Sequence, residues 1–370
     1  MKKIPVANPC LNNEEAKEVY QTIKSGWITM GNKVRSFEDK FAKLVNAKYA
    51  VATNNGTSSL HLCLRAINIK PGDEVIVPNI TYISTINVVL YENATPVIAD
   101  SSPEDYNISV SDIEKKISSK TKAIIAVDMN GLPFDYDKLL KIAKRNKIEL
   151  IADSAEAFGA SYKNKKVGSI AKLHSFSFFA NKNITTGEGG MITTNNKYLY
   201  NRLKLLRNHG QTKRYYHTDL GYNYRMTDIT AAFGLVQLKK LKKIKEKKNL
   251  LVKNYIKYFK SIPHIFIAKY PNYKFEHSWY NFTIYVKDKK FRDFLISNLS
   301  KSNIETRVSF HPLSKQPFIK KNTKIKKTNL KISENAVDKL VNLPIFANMS
   351  NTQQKYICKK IDQITKIYYK

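Results

Sequence analysis

The chain has 370 residues, of which 42% are hydrophobic, and a formal net charge of +33. A chain of this length is too long to fold around a single small hydrophobic core, so we expect two domains. No apolar run approaches the roughly 18 residues of a membrane span, so we expect a cytoplasmic protein. Cys10, Cys63 and Cys358 are odd in number and far apart, and the histidines lack metal-binding spacing. Neither a disulfide framework nor a metal site is expected.

The positive charge raises the question of nucleic acid or an anionic membrane as a partner. The lysines are scattered, however, and arginines are far fewer. The densest run, residues 239–248, alternates with leucines and isoleucines at helical spacing, which is typical of a solvated helix face over a buried one. We therefore expect neither nucleic acid nor a membrane as the partner.

The first part of the chain predicts an arm with a helix near 13–25, and then an amphipathic helix over 34–46. A short buried strand, Tyr49–Thr53, precedes the turn Asn54–Ser59 and a helix at 60–67. A strand, a glycine turn and hydroxyl residues at a helix start can offer unpaired backbone N–H groups to a phosphate. The same residues are also ordinary helix caps, so the pattern alone leaves both interpretations open.

Beyond Gly72 the pattern becomes regular, because β-branched runs alternate with helical stretches. The predicted strands are 74–78, 95–100, 123–127 and 148–153, and the predicted helices are 84–92, 110–118 and 135–146. This alternation predicts a mainly parallel sheet with helices on both faces and ligands at the carboxyl ends of its strands.

One predicted strand ends in Asp153, and Glu156 follows three residues later. If a helix starts there, both carboxylates lie on the same side of it. For an isolated pair of acids, capping of a helix is the simpler interpretation.

A single lysine, Lys182, lies between an apolar strand and the glycine cluster 187–190, which opens a second strand at 191–194. Phe178, Phe179 and Ile184 surround this lysine in the sequence. Burial among them would lower the lysine pKa and free the amine to attack a carbonyl carbon. The alternative is a hairpin whose lysine is merely solvated.

The remainder predicts a helix at 199–206, a polar and aromatic loop at 221–228, and helices at 229–235 and 235–259. After these the rhythm changes to that of a small α+β domain. Its predicted elements are a strand at 277–286, a helix at 290–302, a strand at 304–308 and a terminal helix at 352–368. We place the domain boundary at residue 250, with an arm and large α/β domain over 1–250 and a small domain over 251–370.

The chain lacks a G-x-G-x-x-G after a strand, a Walker A sequence and a G-x-S-x-G elbow, so dinucleotide, P-loop and hydrolase functions lose their main support. A phosphate-binding helix start, a strand-end aspartate and a lysine in a glycine-flanked turn occur instead, in that order. Together they provide an anion site, a carboxylate for a pyridinium nitrogen and an amine for a Schiff base. These are the groups that a protein needs to hold pyridoxal phosphate (PLP).

Over nearly its whole length the chain resembles the DegT/DnrJ/EryC1/StrS aminotransferases, the fold-type I PLP enzymes that aminate keto sugars. The matching motifs, in order, are Asn55-Gly-Thr57, Asp153-x-x-Glu156, Ser177-x-x-x-x-Lys182, Ile184-Thr-Thr-Gly-Glu-Gly-Gly190 and Gly221-Tyr-Asn-Tyr-Arg-Met-Thr227. The resemblance implies a PLP-dependent transaminase with a large mainly parallel domain and a small α+β domain.

The resemblance also implies roles for individual residues. Lys182 would bind the cofactor covalently and then move the proton, and Asp153 would hold the pyridinium nitrogen protonated. Glu156 would contact the ring hydroxyl. The phosphate would be bound by Gly56, Thr57 and Ser177, and Tyr82 would stack on the ring.

Three further residues are assigned to substrate and partner contacts by the same resemblance. Asn223 would reach into the site of a second subunit, which implies a homodimer with shared active sites. Arg225 would bind the carboxylate of the amino donor, glutamate, because a guanidinium grips a carboxylate with two hydrogen bonds. His311 would contact the acceptor.

For the acceptor, the resemblance is to nucleotide-sugar 4-aminotransferases of the perosamine synthase type, which act on 4-keto-6-deoxy sugars for surface polysaccharides. One departure is Asp128-Met-Asn-Gly131, where the family usually has His-Leu-Tyr-Gly. This change concerns the wall expected to face the sugar. It leaves open a smaller phosphorylated ketone as acceptor. A non-catalytic basic binding protein that retains the fold is the third hypothesis.

Overall fold

A computed structural model describes residues 2–308 and 310–370 of the chain. In chain order the strands β1 to β16 span Tyr49–Thr53, Glu74–Pro78, Thr95–Ala99, Thr121–Val127, Glu149–Asp153, Ser161–Tyr162, Lys165–Lys166, Leu173–Ser177, Gly190–Thr194, Gln211–Lys213, Tyr216–His217, Ile265–Ile267, Phe275–Glu276, Phe282–Val286, Lys326–Lys327 and Leu340–Leu343. The helices α1 to α12 span Asn13–Lys24, Asn32–Leu44, Gly56–Ala66, Ser84–Tyr91, Val110–Lys116, Tyr136–Asn146, Lys197–Arg207, Asp228–Phe259, Lys289–Lys301, Pro317–Lys321, Lys331–Ala336 and Asn351–Tyr368.

The main sheet has the strand order β1-β9-β8-β5-β4-β2-β3-β15. Strand β9 runs antiparallel to both of its neighbours, β1 and β8, and the other neighbouring strands pair in parallel. The predicted mainly parallel α/β sheet is confirmed. The register sets Asp153 on β5 opposite Val127 of β4 and Ser175 of β8, so the ends of these three strands meet at one edge of the sheet.

Two apolar clusters cover the two faces of this sheet. One is formed with residues of α2, α6 and α8, and the other with residues of α3, α4 and α7. A third cluster joins the sheet β12-β14-β16 to α9, α12 and the end of α8. Residue Ile4 of the N-terminal arm is buried in this third cluster. The burial of both sheet faces explains why β2 to β5 are almost continuously apolar.

Several predicted boundaries are wrong. Helix α3 begins at Gly56 rather than residue 60, because the Asn55 side chain caps it through the N–H of Ser58, at 2.8 Å. The predicted helices at 229–235 and 235–259 form the single helix α8. Strand β14 starts only at Phe282, since Trp279 has a left-handed backbone with φ of 53° that no extended strand accommodates.

The C-terminal third also departs from the prediction. Residues 304–308 form no strand within the described part of the chain, only isolated bridges at Ile304 and Arg307. The third strand of the small sheet is β16 instead. Helix α8 crosses residue 250, and β15 pairs with β3 in the main sheet. The domain boundary at 250 stays a prediction.

Across residues 2–308 and 310–370, none of the helices combines the length and apolarity that crossing a bilayer requires.

Candidate active site

A cavity of about 560 Å³ lies at the carboxyl ends of β4, β5 and β8 and at the N-terminus of α3. Seven of the sequence-predicted site residues line it, although they come from four separate segments of the chain. They are Gly56, Thr57, Tyr82, Asp153, Glu156, Ser177 and Lys182. Their convergence follows from the register of the parallel strands.

Asp153 is buried at the end of β5, where hydrogen bonds fix both of its carboxylate oxygens. Oδ1 accepts from the N–H of Ala155 at 3.2 Å, and Oδ2 accepts from the hydroxyl of Thr85 at 3.3 Å. Burial raises the pKa of this carboxyl group, while these hydrogen bonds and the ammonium of Lys182 oppose the shift. A further cation beside Asp153 would stabilise its charged form.

Glu156 lines the same cavity without the helix that the sequence left open as a possibility. Residues 155 and 156 form a turn, and the N–H of Asn130 donates to the carboxylate of Glu156 at 2.8 Å. Burial raises the pKa of Glu156, opposed by Lys182 and by this hydrogen bond. The turn, rather than a helix face, brings the two acids to one site.

The Lys182 side chain, 13% exposed, has its Nζ 3.8 Å from Oε1 of Glu156 and 4.3 Å from the ring centre of Tyr280. Burial lowers the pKa of Lys182, but Tyr280, Glu156 and Asp153 raise it, and the net shift is upward. The expectation of a lowered pKa was therefore wrong. The sequence showed the apolar neighbours but not the acidic groups that the fold brings to the amine.

The start of α3 forms a narrow cradle. The first N–H groups of a helix have no partner within it, and those of Gly56 and Thr57 occupy these positions. A Cβ at residue 56 would lie 2.8 Å from Cβ and 3.1 Å from Oγ of Ser177, so only glycine allows this close approach. The cradle combines helix-end N–H groups with a hydroxyl, which is suitable for an anion.

Tyr82 lies at the mouth of the cavity and is 59% exposed. Its ring centre is 5.9 Å from that of Phe310, with the two rings tilted by 58°. One face of the tyrosine is therefore available to a ligand in the cavity.

Three predicted residues do not line this cavity within one chain. Asn223 is exposed and forms a bridge with Asn208. Arg225 donates to the side-chain oxygen of Asn208 at 2.6 Å. His311 is exposed and follows Phe310, which does line the cavity. The roles predicted for these residues remain predictions.

Several other polar residues that line the cavity received no role from the sequence, among them Asn181, Tyr280, Asn281 and Arg307. They lie on loops, so no helical or strand period relates them to Lys182. Asn281 donates to the side-chain oxygen of Asn130 at 2.9 Å, which joins two of these loops. The side-chain oxygen of Asn181 is buried and has no hydrogen-bond partner among the described residues.

The unusual segment 128–131 contributes to the cavity through Met129 and Asn130. The side chain of Asp128 instead points into the protein core, where it accepts hydrogen bonds from Tyr136 at 2.8 Å and Ser154 at 2.7 Å. Burial raises the pKa of Asp128 to about 7. The aspartate at this position therefore does not face the acceptor directly.

Comparison with known proteins gives the family. The model of the DegT/DnrJ/EryC1/StrS aminotransferase family matches residues 9–362. GDP-perosamine synthase of Escherichia coli O157:H7 is 40% identical over 366 residues, which cover 98% of this chain and 99% of the relative.

Solved structures agree with this comparison. PseC of Helicobacter pylori, an aminotransferase involved in the biosynthesis of pseudoaminic acid, superposes with a TM-score of 0.93 at 29% identity, over 99% of this chain and 100% of its own. Spr1654 of Streptococcus pneumoniae, solved in a PLP form and a PMP form, has a TM-score of 0.94. Its PLP form is 30% identical, with 99% of each chain covered. The chain belongs to the DegT/DnrJ/EryC1/StrS aminotransferase family.

Proposed function

We propose that this protein is a PLP-dependent aminotransferase that moves the amino group of glutamate to a nucleotide-linked 4-keto-6-deoxy sugar. The product would serve surface-polysaccharide biosynthesis in the cytoplasm. The observation that carries the proposal is the placement of Lys182 between Glu156 and Tyr280 in a cavity that also contains Asp153 and the start of α3. The identity to a GDP-perosamine synthase supports the choice of substrate class.

The residues present fit pyridoxal phosphate. The cradle of Gly56, Thr57 and Ser177 suits a dianionic phosphate, because it offers N–H groups and a hydroxyl at the positive end of a helix dipole. Burial raises the pKa of Asp153, and a protonated ring nitrogen beside it would supply the positive charge that stabilises its carboxylate form. Lys182 is the amine that lines the same cavity.

When bound, pyridoxal phosphate supplies an electron-withdrawing ring that stabilises negative charge on the carbon that loses a proton. The protein's own contribution is to position and to exchange protons. Lys182 takes the proton from the donor carbon and returns one, with Glu156 and Tyr280 holding its Nζ in place. Asp153, held by Thr85 and Ala155, provides the negative charge that keeps the ring nitrogen protonated.

We propose that a second copy of the chain completes the site. Large apolar side chains at 27–28, 198 and 215–220 are exposed. Met30, Tyr198 and Gln211 line one common groove. Strand β10, which contains Gln211, pairs with β11 of the 215–220 segment, so these segments adjoin on the surface. Asn223 and Arg225 come shortly after residues 215–220 in the sequence. In a dimer that forms through this surface, they would reach the cavity of the partner subunit. Arg307, which lines the cavity of its own chain, is a second candidate for the carboxylate of glutamate.

The test uses the absorbance of the cofactor. The protein is converted with glutamate to the pyridoxamine form, the donor is removed, and candidate ketones are added. Return of the aldehyde-form absorbance with a nucleotide-linked 4-keto-6-deoxy sugar is the expected result. Return of this absorbance only with a small phosphoketone would refute the nucleotide-linked sugar as the acceptor. Failure of glutamate to convert the protein would refute glutamate as the donor.

Lys182→Ala provides the decisive variant. We expect it to lower turnover by roughly a thousandfold or more, because both the covalent link and the proton transfer need this amine. Lys165→Ala, at an exposed lysine on β7, is the matched control and should retain wild-type turnover. Equal turnover of Lys182→Ala and the control would refute the mechanism.

A further inference from the structure

Helix α8 contains a lysine that is buried without an acidic partner. Lys248 is 5% exposed, whereas the neighbouring Lys240 and Lys245 pair with Glu15 and Glu276. Within residues 2–308 and 310–370, Lys248 makes no ion pair of this kind, and burial lowers its pKa to about 7. Burying an amine costs free energy unless hydrogen bonds compensate, so the hydrogen-bond partners of Lys248 indicate why it lies there.

The ammonium nitrogen of Lys248 connects the segment that contains Lys182 with the segment that contains Tyr280, whose ring lies beside the Lys182 amine. It donates to the side-chain oxygen of Asn183 at 2.7 Å and to the carbonyl oxygen of Trp279 at 3.0 Å. Asn183 directly follows Lys182, and Trp279 directly precedes Tyr280. The Asn183 side chain also donates to the carbonyl oxygen of Ser278 at 2.8 Å, which closes the connection between the two segments.

The segment before Tyr280 is held in an unfavourable conformation. Trp279 has a φ of 53°, a left-handed value that is uncommon and unfavourable for a bulky side chain. Its indole ring stacks on His277 with ring centres 3.9 Å apart, and the backbone N–H of Trp279 donates to Nδ1 of the same histidine at 2.9 Å. Such a conformation persists only where several contacts enforce it, and the bond from Lys248 to the Trp279 carbonyl is one of them.

We propose that Lys248 is a positioning residue for the transamination that the proposed function assigns to Lys182. It locks the turn that carries Lys182 against the loop that carries Tyr280. This connection fixes the amine of Lys182 relative to the Tyr280 ring and to Glu156. Lys248 itself does not line the cavity within the described residues, so its effect is transmitted through Asn183 and Trp279.

The main variant is Lys248→Met, which keeps the length and the apolar stem but removes the donor. We expect kcat to fall about ten- to hundredfold, because a small displacement of a catalytic group has effects of this size. KM for glutamate should change by less than about twofold, since the groups that bind the donor remain. Lys247→Met, one residue earlier and exposed, is the matched control.

Hydrogen–deuterium exchange of the cofactor-free protein provides a readout that does not depend on activity. Residues 178–186 and 277–282 should exchange faster in Lys248→Met than in the control, while the strands β4 and β5 keep their protection. Uniformly faster exchange would indicate general destabilisation and would contradict a positioning role. If the wild-type protein had no transaminase activity, the proposed function would fail, but this exchange experiment would still test the connection.

A double-mutant cycle separates positioning from a merely structural effect. Asn183→Leu removes one acceptor of the Lys248 amine, so its effect on kcat should not add to that of Lys248→Met. Additive effects, or a Lys248→Met protein with wild-type kcat, would overturn the proposal.

Discussion

At the scale of single residues, the environment of Asp128 shows how a core position can hold an acid. Its oxygens accept hydrogen bonds from Tyr136, Ser154 and the N–H of Phe134. Nε2 of His174 accepts from two backbone N–H groups, so its Nδ1 carries the proton and donates to Ser154 at 3.0 Å. This network includes Ser154, the residue that directly follows Asp153 in the chain.

The raised pKa of Asp128, about 7, predicts a pH-dependent penalty on folding. Below the pKa of the unfolded chain, near 4, both states are protonated and there is no penalty. As the pH rises, the unfolded state ionises first, so stability is lost until the folded carboxyl also ionises near pH 7. Relative to Asp128→Asn, the wild-type protein should therefore lose up to about 3 kcal/mol between about pH 5 and about pH 8.

The measurement is urea unfolding of the cofactor-free wild-type and Asp128→Asn proteins across this pH range. Burial lowers the pKa of His174 to about 3, but this histidine is present in both proteins, so its contribution cancels in the difference. A difference that stays constant with pH would show that Asp128 is ionised throughout and that the hydrogen bonds outweigh burial.

At the scale of elements, the start of α3 depends on the absence of a side chain at residue 56. Helix and strand β8 approach so closely that a Cβ there would lie 2.8 Å from the Cβ of Ser177. Asn55 caps the helix, so the first N–H groups keep their orientation without help from a ligand.

Gly56→Ala should push α3 away from β8 and weaken PLP binding about tenfold, which corresponds to a modest overpacking cost. Quenching of tryptophan fluorescence on adding PLP to the cofactor-free protein measures the affinity. If affinity is unchanged in Gly56→Ala, the cradle is not the phosphate site.

At the scale of the whole molecule, the exposed apolar side chains at 215–220 predict that the protein acts as a dimer. Leu220 is 71% exposed and is followed by the segment that contains Asn223 and Arg225. A charge at this position would be buried in the interface and would oppose association.

Sedimentation velocity should give twice the chain mass of 42.5 kDa for the wild-type protein. Leu220→Glu should shift the protein to the monomer and lower turnover. Ile367→Glu is the matched control, because Ile367 is 67% exposed on α12, and it should remain dimeric. A monomeric wild-type protein with full activity would exclude shared active sites.

The alternation of strands and helices and the chemical groups of the site could be predicted from the amino-acid sequence. A strand that is buried on both faces is apolar and rich in β-branched residues, so it can be recognised from a few consecutive residues. Asp153, Lys182 and the glycine turn at residue 56 each follow such a strand in the sequence. These features depend on residues that are close together in the sequence, so a sequence pattern can predict them.

The contacts between groups that are distant in the sequence could not be predicted and depend on the folded chain. The upward pKa shift of Lys182 arises from Tyr280, Glu156 and Asp153, and the first of these is almost a hundred residues away. The left-handed Trp279, the strand β16 and the buried Lys248 likewise depend on contacts between remote segments. Burial and electrostatic interactions act through space, so no local pattern in the sequence records them.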